Sequence, residues 1–439
     1  MLRYYLTLGV RSLRRNPVLT GLMILTLAVG VAASISTLTI LHVMSGDPIP
    51  HKSARLIVPL LDNGPLKTYE PGKKDLNDAQ MSYRDAMNLL ASGQGVRRTA
   101  LYDIFGSIEP ARPDLPVIDV QGIAATSDYF TMFEVPFRFG GPWTAADDKA
   151  ATRAAVLSRR KAEAIFGKDD PVGRRFRLGK QDYTVAGVLD EWNPVPRYTH
   201  LINGSGGTFR GEDEIFIPFS AAVATEQANN GSMNCPDDPG PGFQGILAAE
   251  CTWIQFWFEL GSSRDRAALK DYLDGYTREQ HRLGRFERQA PNRTFDVMEW
   301  MDYLEVVHND NRLAVWLAFG FLLLCMVNTM GLLLAKFSAR ASEIGVRRAL
   351  GASRGAIFRQ FLIETGVIGL AGGGLGLLLS FLSLWLIRLQ SRDLSAVAHM
   401  DWEMLGTTFA IAVGASVCAG LLPTWRACQI TPALQLKSQ

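Results

Sequence analysis

The sequence predicts an integral membrane protein with four transmembrane α-helices. A large α+β extracytoplasmic domain, divided into two lobes, is predicted between the first and second helices. Three observations support this prediction. Long apolar segments recur along the chain, and each approaches the roughly 20 residues that cross a bilayer core. Arginine and lysine cluster beside these segments. The long stretch between the first two segments mixes strand-like and helix-like patterns.

The predicted spans are residues 17–44, 313–335, 363–389 and 405–423, of which the last is the shortest. The first span carries a single ionisable side chain, His42, near its far end. It is too long for the apolar region of a signal peptide, and further spans follow it, so we interpret it as a membrane anchor.

The distribution of basic residues predicts the orientation, since they are enriched in cytoplasmic loops. The first span is preceded by Arg3, Arg11, Arg14 and Arg15, and the segment 336–362 contains Lys336, Arg340, Arg347, Arg348, Arg354 and Arg359. The loop 390–404 shows no basic excess, since Arg388 and Arg392 are matched by Asp393, Asp401 and Glu403. Both termini, the segment 336–362 and the tail 424–439 are therefore expected in the cytoplasm, with residues 45–312 and 390–404 on the outer side of the membrane. The net charge of +2 is uninformative, and the basic residues beside the spans do not indicate nucleic-acid binding.

Residues 1–16 are predicted to form an amphipathic helix in the membrane interface. Leu2, Leu6, Val10 and Leu13 recur at near-helical spacing, and most arginines lie away from them. The alternative is a basic topology signal without helical structure. Asn16 and Pro17 then resemble an N-cap and a first helical residue, which would start the first span.

The extracytoplasmic region has an α+β pattern. Strands are predicted at residues 117–124, 183–189, 214–219, 253–260 and 294–298, and helices at 82–91, 159–166 and 265–281. Proline and glycine cluster at 194–211 and 231–245, which predicts long surface loops.

The extracytoplasmic region contains Cys235 and Cys251. An oxidising compartment permits a disulfide between them, and two free thiols are the alternative. The other three cysteines lie in or beside the spans and are expected to be packing residues. The sequence contains no CxxC or His/Cys cluster that would predict a metal site.

Two features concern the packing and continuity of the span helices. A helix that begins near Glu299 either continues into the second span or breaks at residues 309–311, and both alternatives stay open. GxxxG spacing in the third span predicts close helix packing, within one subunit in preference to a subunit interface, at Gly369, Gly372, Gly373 and Gly376. Asn328 is a candidate for a hydrogen bond between helices. Glu364 is expected to open the third span, where the helix dipole favours an acid.

The most informative segment lies between the second and third spans. It is short, basic and compatible with a helix, and nothing in it resembles a catalytic site. We interpret it as a coupling element that contacts a soluble motor protein. A topology signal alone would explain its arginines but not its ordered Glu-Ile-Gly-Val-Arg-Arg-Ala-Leu-Gly-Ala run. The candidate coupling residues are Arg340, Glu343, Ile344, Gly345, Arg347, Arg348, Leu350, Gly351 and Ser353.

The sequence contains no GxxxxGK[ST] phosphate loop, GxSxG elbow or HExxH motif. We therefore predict a non-catalytic subunit, without a cofactor, rather than an enzyme. An ATPase, if one drives this chain, would be a separate polypeptide.

Several motifs resemble the MacB/FtsX-type permeases of ABC transporters, over nearly the whole chain. The most specific is Arg340 with the run from Glu343 to Ser353, followed by Gln360-Phe-Leu-Ile-Glu364 and the glycine-rich span. Other similar motifs are Ser12-Leu-Arg-Arg-Asn-Pro17, Ser127-Asp-Tyr-Phe130, Ala155-Val-Leu-Ser158, Asp170-Pro-Val-Gly173, Tyr183-Thr-Val-Ala-Gly-Val188 and Pro423-Thr-Trp-Arg-Ala427.

The resemblance implies a permease that pairs with a second permease chain and sits on a dimer of a separate ATPase. ATP-driven movement would pass through the spans to the periplasmic domain and drive export, with a membrane-fusion protein and an outer-membrane channel as further partners. The alternatives are a transmembrane signal transducer that regulates cell-wall hydrolases and a lipoprotein-releasing permease. A membrane-anchored sensor without a motor is a fourth hypothesis, but it does not account for the coupling segment.

Overall fold

A computed structural model describes residues 16–61, 63–68, 79–109, 116–202, 209, 211–288, 292–307 and 309–390, together with single residues and short groups between 406 and 425. The chain divides into two compact units. Residues 46–306 form the sheet unit, and residues 1–45 and 307–439 form the helical unit.

The α-helices of the described residues are numbered in chain order. They are α1 (Pro17–Ser45), α2 (Tyr83–Ala91), α3 (Asp128–Met132), α4 (Ala145–Lys149), α5 (Arg159–Phe166), α6 (Phe219–Ala224), α7 (Gly242–Ala248), α8 (Arg266–Arg282), α9 (Val297–Tyr303), α10 (Asn309–Ser338), α11 (Ala341–Ala349) and α12 (Arg354–Gln390).

The strands belong to one connected, 10-stranded sheet, in the order β10-β1-β9-β2-β3-β8-β5-β7-β4, with β6 pairing β2 and β7. The pairs β3–β8 and β5–β7 are parallel. The strands are β1 (Leu56–Leu60), β2 (Arg97–Glu109), β3 (Ile118–Ala125), β4 (Phe137–Gly140), β5 (Ala154–Leu157), β6 (Arg175–Leu178), β7 (Gln181–Leu189), β8 (Ile215–Pro218), β9 (Gln255–Glu259) and β10 (Arg293–Phe295). The α+β composition is confirmed, and the division into two lobes stays a prediction.

The sheet separates two hydrophobic cores, because successive side chains along a strand point to opposite faces. On β8, Phe216 enters one core, whereas Ile215 and Ile217 enter the other. Helices α2, α5 and α8 contribute to the core that contains Ile215, and helices α3 and α9 contribute to the core that contains Phe216. Both faces are therefore covered, which explains why the central strands are buried throughout.

The predicted strand at residues 294–298 is wrong in its second half. Strand β10 ends at Phe295, and α9 begins at Val297. The reason is a capping box: the side chain of Asp296 accepts a hydrogen bond from the backbone N–H of Glu299, and the side chain of Glu299 accepts one from the N–H of Asp296. This reciprocal cap starts a helix where hydrophobicity alone suggested a longer strand.

Cys235 and Cys251 form a disulfide with a sequence separation of 16 residues. Beside it, Asn234 and Thr252 exchange two backbone hydrogen bonds of 3.0 and 2.7 Å. The neighbouring Glu250 accepts hydrogen bonds from Arg285 (Nη2 to Oε2, 2.7 Å) and Arg84 (Nη1 to Oε1, 3.3 Å). The disulfide and the backbone pair thus close the loop that contains α7 at its base, and the contacts of Glu250 join that base to α2 and to the residues after α8.

Among the described residues of the helical unit, three helices are long and apolar enough to cross a membrane: Pro17–Ser45, Arg312–Ser338 and Arg354–Leu389. Helix α1 begins at Pro17 as predicted, and the backbone carbonyl of Asn16 accepts a hydrogen bond from the N–H of Thr20. Of the fourth predicted span, 405–423, only scattered residues are described, and these are helical. The predicted amphipathic helix 1–16, apart from Asn16, and the predicted loop 390–404, apart from Gln390, lie outside the described residues, as does the tail 424–439 apart from Trp425.

One expectation about helix boundaries requires correction, and one pair of open alternatives is decided. Helix α12 begins at Arg354, not near residue 363, because Ser353 caps it early; Glu364 therefore lies inside the helix and does not open it. The helix that contains Glu299 is not continuous with the second span. It ends at Tyr303, Glu305 has a left-handed φ of 54°, and α10 starts at Asn309, so the break precedes residues 309–311.

Glycines of α12 allow its backbone to approach α1. A Cβ built on Gly376 would lie 2.9 Å from Cβ of Val31, and one built on Gly372 would lie 3.0 Å from Cβ of Leu27. Gly369 and Gly373 are also buried. Asn328, in contrast, is exposed on α10 and does not make the predicted hydrogen bond to another described helix.

We predict that Gly376→Ala lowers the thermal midpoint of the purified full-length protein in detergent. The added methyl group would overpack the contact with Val31, at a cost of about 1–3 kcal/mol. Gly374→Ala is the matched control, because nothing lies within 4 Å of its Cβ position. Equal shifts in the two variants would contradict the packing account.

We also predict that acid destabilises the sheet unit partly through Glu250. Burial raises the pKa of this carboxyl group, but the hydrogen bond and charge of Arg285, followed by the charge of Arg84, outweigh burial and hold the pKa below its ordinary value of 4.5. Because the folded-state pKa is the lower one, the stabilisation is present above pH 4.5 and is lost as the pH falls through the folded-state value.

Thermal unfolding of the protein across this acidic range should therefore show a weaker pH dependence in Glu250→Gln. Glu279→Gln provides the control, because Glu279 forms an ion pair with Arg282 at the exposed surface of α8. A pH profile that is unchanged in Glu250→Gln would rule out this contribution.

Candidate functional site

The segment between α10 and α12 folds as a short helix with a turn on each side. The first turn is closed by hydrogen bonds from the N–H groups of Ala339 and Arg340 to preceding carbonyls of α10, both 3.1 Å. Helix α11 follows and is succeeded by Gly351, whose φ of 98° lies in the left-handed region. Glycine adopts this conformation without the Cβ penalty and commonly ends helices.

Helix α12 then starts with a side-chain cap. Ser353 Oγ accepts a hydrogen bond of 3.2 Å from the backbone N–H of Ala356. Gly351 and Ser353 thus have defined local roles: the first permits the chain to leave α11, and the second starts α12. We call residues 339–353 the docking segment.

A buried ion pair lies at the base of the docking segment. Lys336 Nζ of α10 is 2.6 Å from Glu364 Oε1 of α12, and both side chains have 0% exposure. Arg340, at the start of the docking segment, places Nη1 3.5 Å from Oε2 of the same carboxylate. One acidic group therefore contacts cations from α10 and from the first turn of the docking segment.

A second polar contact joins α11 to α12. Arg347 Nη2 lies 2.6 Å from Glu343 Oε1, one helical turn earlier, and its Nη1 donates a 3.1 Å hydrogen bond to Oε1 of Gln360. Both members of the Arg347–Glu343 pair are about two-fifths exposed, so solvent weakens their attraction. The side chains of Arg340, Glu343, Arg347 and Gln360 line one shallow cleft together with Ile357 and Phe361.

Apolar residues fill the space beneath these charges. The rings of Phe337 and Phe361 have centroids 4.3 Å apart, and both residues are buried. They belong to a cluster drawn from α1, α10 and α12, whose buried members are Met23, Leu27, Leu333, Phe337, Ile357, Phe361 and Ile368. The base of the docking segment is thereby attached to a packed helical core.

The outer side of the docking segment has a different character. Leu350 is 82% exposed and Val346 is 56% exposed, four residues apart. Arg354 and Arg359 are exposed nearby in sequence. An exposed apolar pair beside basic groups is suited to binding another protein rather than to catalysis.

The structure brings some of the predicted coupling residues together but not others. Arg340, Glu343 and Arg347 line the same cleft. Leu350 is exposed, and Gly345 lies within α11. Gly351 and Ser353 belong to the turn between α11 and α12. The backbone of Ile344 and Arg348 is helical, but their side chains are outside the described set. The sequence analysis missed the roles of Lys336, Gln360 and Glu364. For Lys336 and Glu364 the available signal was a charged residue inside an apolar helix, α10 in the first case and α12 in the second.

A second group of buried charges lies in the sheet unit, around Asp213. Its Oδ1 accepts a hydrogen bond from Arg197 and lies 3.3 Å from Nε2 of His200. Burial raises the pKa of Asp213, but the charges of Arg197 and then His200 outweigh burial and lower the pKa below its ordinary value. Thr199 and Tyr129 continue the network through hydrogen bonds. These contacts connect the residues after β7 to the start of β8 and require no ligand to explain them.

Two family models match the chain. Residues 20–276 match the MacB-like periplasmic core domain, and residues 315–432 match the FtsX-like permease C-terminal region. Among the groups of His, Cys, Asp and Glu in the described residues, none is arranged to hold a metal ion.

Similar full-length proteins include two named exporters. The pyoverdine export ATP-binding/permease protein PvdT of Pseudomonas aeruginosa is 26% identical over 71% of this chain and 41% of its own length. The macrolide export ATP-binding/permease protein MacB of Rhodopirellula baltica is 24% identical over 85% of this chain and 53% of its own length. The chain thus spans about half the length of these curated relatives.

A crystal structure of the periplasmic region of MacB from Actinobacillus actinomycetemcomitans aligns with 58% of this chain and 95% of that chain, at 12% identity and a TM-score of 0.37. The family assignment rests on the sequence matches, which extend over both units. The chain belongs to the MacB/FtsX-type family of ABC transporter permeases, with a MacB-like periplasmic core domain and an FtsX-like permease region.

Proposed function

We propose that this chain is the membrane subunit of an ATP-driven exporter and that its docking segment binds an ABC ATPase. The observation that carries the proposal is the exposure of Val346 (56%) on α11 and of Leu350 (82%) just after it, between two apolar helices. Water does not favour such an apolar pair, whereas a hydrophobic cleft on a soluble partner would cover it. The basic residues around the pair favour a partner with an acidic rim.

The proposed orientation follows from the distribution of arginine and lysine. With both termini and the segment 336–362 in the cytoplasm, the docking segment faces the compartment that contains ATP. Residues 45–312 then lie in the periplasm of a bacterium, and the chain is a multi-pass protein of the inner membrane. Residues 405–423 would complete the four crossings that return the C-terminus to the cytoplasm.

The proposed partners are an ATPase dimer supplied by separate polypeptides and a second permease chain, either identical or paralogous. The names of the relatives support a transporter in two ways. They describe ATP-binding/permease proteins, and they describe export, of pyoverdine in one case and macrolide in the other. A membrane-fusion protein and an outer-membrane channel would complete a tripartite export path.

The proposed mechanism is mechanical and uses no catalytic group of this chain. Closure of the ATPase dimer on ATP would displace the docking segment. Helix α12 continues without interruption from Arg354 to Gln390, so a displacement at its first turn is transmitted along the helix. Movement of the spans would then change the conformation of the periplasmic domain, and this domain would push substrate outwards.

We predict that Leu350→Asp weakens the complex with the partner ABC ATPase. Loss of a central apolar anchor typically costs about 2 kcal/mol, which corresponds to about a thirtyfold increase in Kd. The measurement is Kd and ATP turnover of the reconstituted pair in nanodiscs. Turnover should fall to the rate of the ATPase alone at concentrations where the unmodified pair is assembled.

Leu283→Asp is the matched control, because Leu283 is also an exposed leucine (57%) but lies in the sheet unit. Correct insertion of both variants is checked by size-exclusion chromatography. If Leu350→Asp kept the Kd and turnover of the Leu283→Asp protein, the docking segment would not be the ATPase-binding site.

A further inference from the structure

Glu364 contacts two cations that belong to different parts of the helical unit. Its Oε1 lies 2.6 Å from Lys336 Nζ, near the end of α10, and its Oε2 lies 3.5 Å from Arg340 Nη1, in the turn before α11. Lys336 and Glu364 are fully buried, and the Arg340 side chain is 15% exposed. The carboxylate therefore joins α12 to the end of one helix and the start of the next.

Stability alone does not explain why charges occupy these positions. Burial of an ion pair costs several kcal/mol in lost hydration, and well-packed apolar residues of similar volume often stabilise a protein equally or better. A buried pair does define geometry, because either charge left without its partner would be strongly destabilising. The contact therefore restricts which residues of α10 and α12 can lie side by side.

Helix α11 depends on contacts of this kind because it is short. It has nine residues, and isolated helices shorter than about 12–15 residues are marginal in water. The Arg347–Gln360 hydrogen bond attaches it to α12 from a partly exposed position. The contact between Arg340 and Glu364 is the more buried of these two attachments, and Arg340 immediately precedes the helix.

We propose that Glu364 is a positioning residue: by holding Lys336 and Arg340 together, it sets the position and direction of α11 relative to α12. The inference rests on the proposed function, in which α11 presents Val346 and Leu350 to the ATPase. In that role Glu364 does not touch the partner. It acts through Arg340 by keeping the docking segment in one orientation before the partner arrives.

The test measures geometry in the full-length chain without an ATPase. Spin labels at Val346→Cys and Arg359→Cys, in a background where Cys325, Cys418 and Cys428 are replaced by alanine, report the distance between α11 and α12 in nanodiscs. A second pair, at Leu25→Cys and Leu324→Cys, reports the distance between α1 and α10. All four label positions are exposed.

Three proteins are compared by the electron-spin distance distribution of each pair. Glu364→Gln removes the charge of one partner. The double variant Lys336→Met/Glu364→Met removes both charges of the buried pair and, with Glu364, the contact to Arg340. Thr26→Val is the matched control, since Thr26 is half-buried and its hydroxyl donates only within α1, to the carbonyl of Leu22. If Glu364→Gln does not insert into the membrane, the distance distributions of the double variant alone decide the test.

We expect the α11–α12 distribution to lose its single narrow peak in the double variant, while the α1–α10 distribution stays as in the Thr26→Val protein. An α11–α12 distribution that remains narrow would overturn the inference. Broadening of both pairs would overturn it too, because the pair would then maintain the whole bundle and not specifically the docking segment.

ATP turnover with the partner separates this inference from the proposed function. If α11 is released in the double variant and turnover also falls, both ideas are supported. If α11 is released and turnover is unchanged, the positioning role stands and the proposed docking function fails.

Discussion

The helical unit depends on the close approach of α1 and α12. Gly376 and Gly372 leave no side-chain atoms between the α12 backbone and Val31 and Leu27 of α1. A hydrophobic driving force does not hold helices together in lipid, so such packing and a few polar contacts must do so. Ser36 and Ser383 add one of these contacts, with their hydroxyl oxygens 2.6 Å apart.

This packing has a consequence at the end of the bundle where the docking segment lies. Phe337 and Phe361 pack at the base of the segment, and the Lys336–Glu364 pair is buried beside them in sequence. The charges can be sequestered there because the neighbouring helices are already packed. We infer docking of an ATPase from two features together. The base of the docking segment is packed, and Leu350 and Val346 are exposed on the segment itself.

Sequence periodicity was sufficient for features that depend on local pattern. The first span began at Pro17, strands near 183–189 and 253–260 were found, and helices near 82–91 and 159–166 matched α2 and α5. Strand β2 was missed because it starts with Arg97 and Arg98 and contains Asp103. The charge of Arg97 is paired across the sheet, since its Nη1 lies 3.0 Å from Oε2 of Glu259 on β9.

The same limitation applies to the candidate site. The sequence identified residues 343–353 because their order and charge are local properties. It assigned Glu364 to a helix start because nothing in a linear pattern indicates that Lys336 meets it at 2.6 Å. Pairings between distant residues depend on how the helices pack, as does the difference between buried Gly372 and exposed Asn328.

The most direct test of the docking account is site-specific photocrosslinking in intact membranes that contain the partner ABC ATPase. A photoreactive residue replaces Leu350 in one protein and Trp316, an exposed residue of α10, in another. The account predicts that the label at position 350 crosslinks to the ATPase and that the label at 316 does not. Absence of an ATPase adduct at position 350, in a correctly inserted chain with the ATPase present, would contradict it.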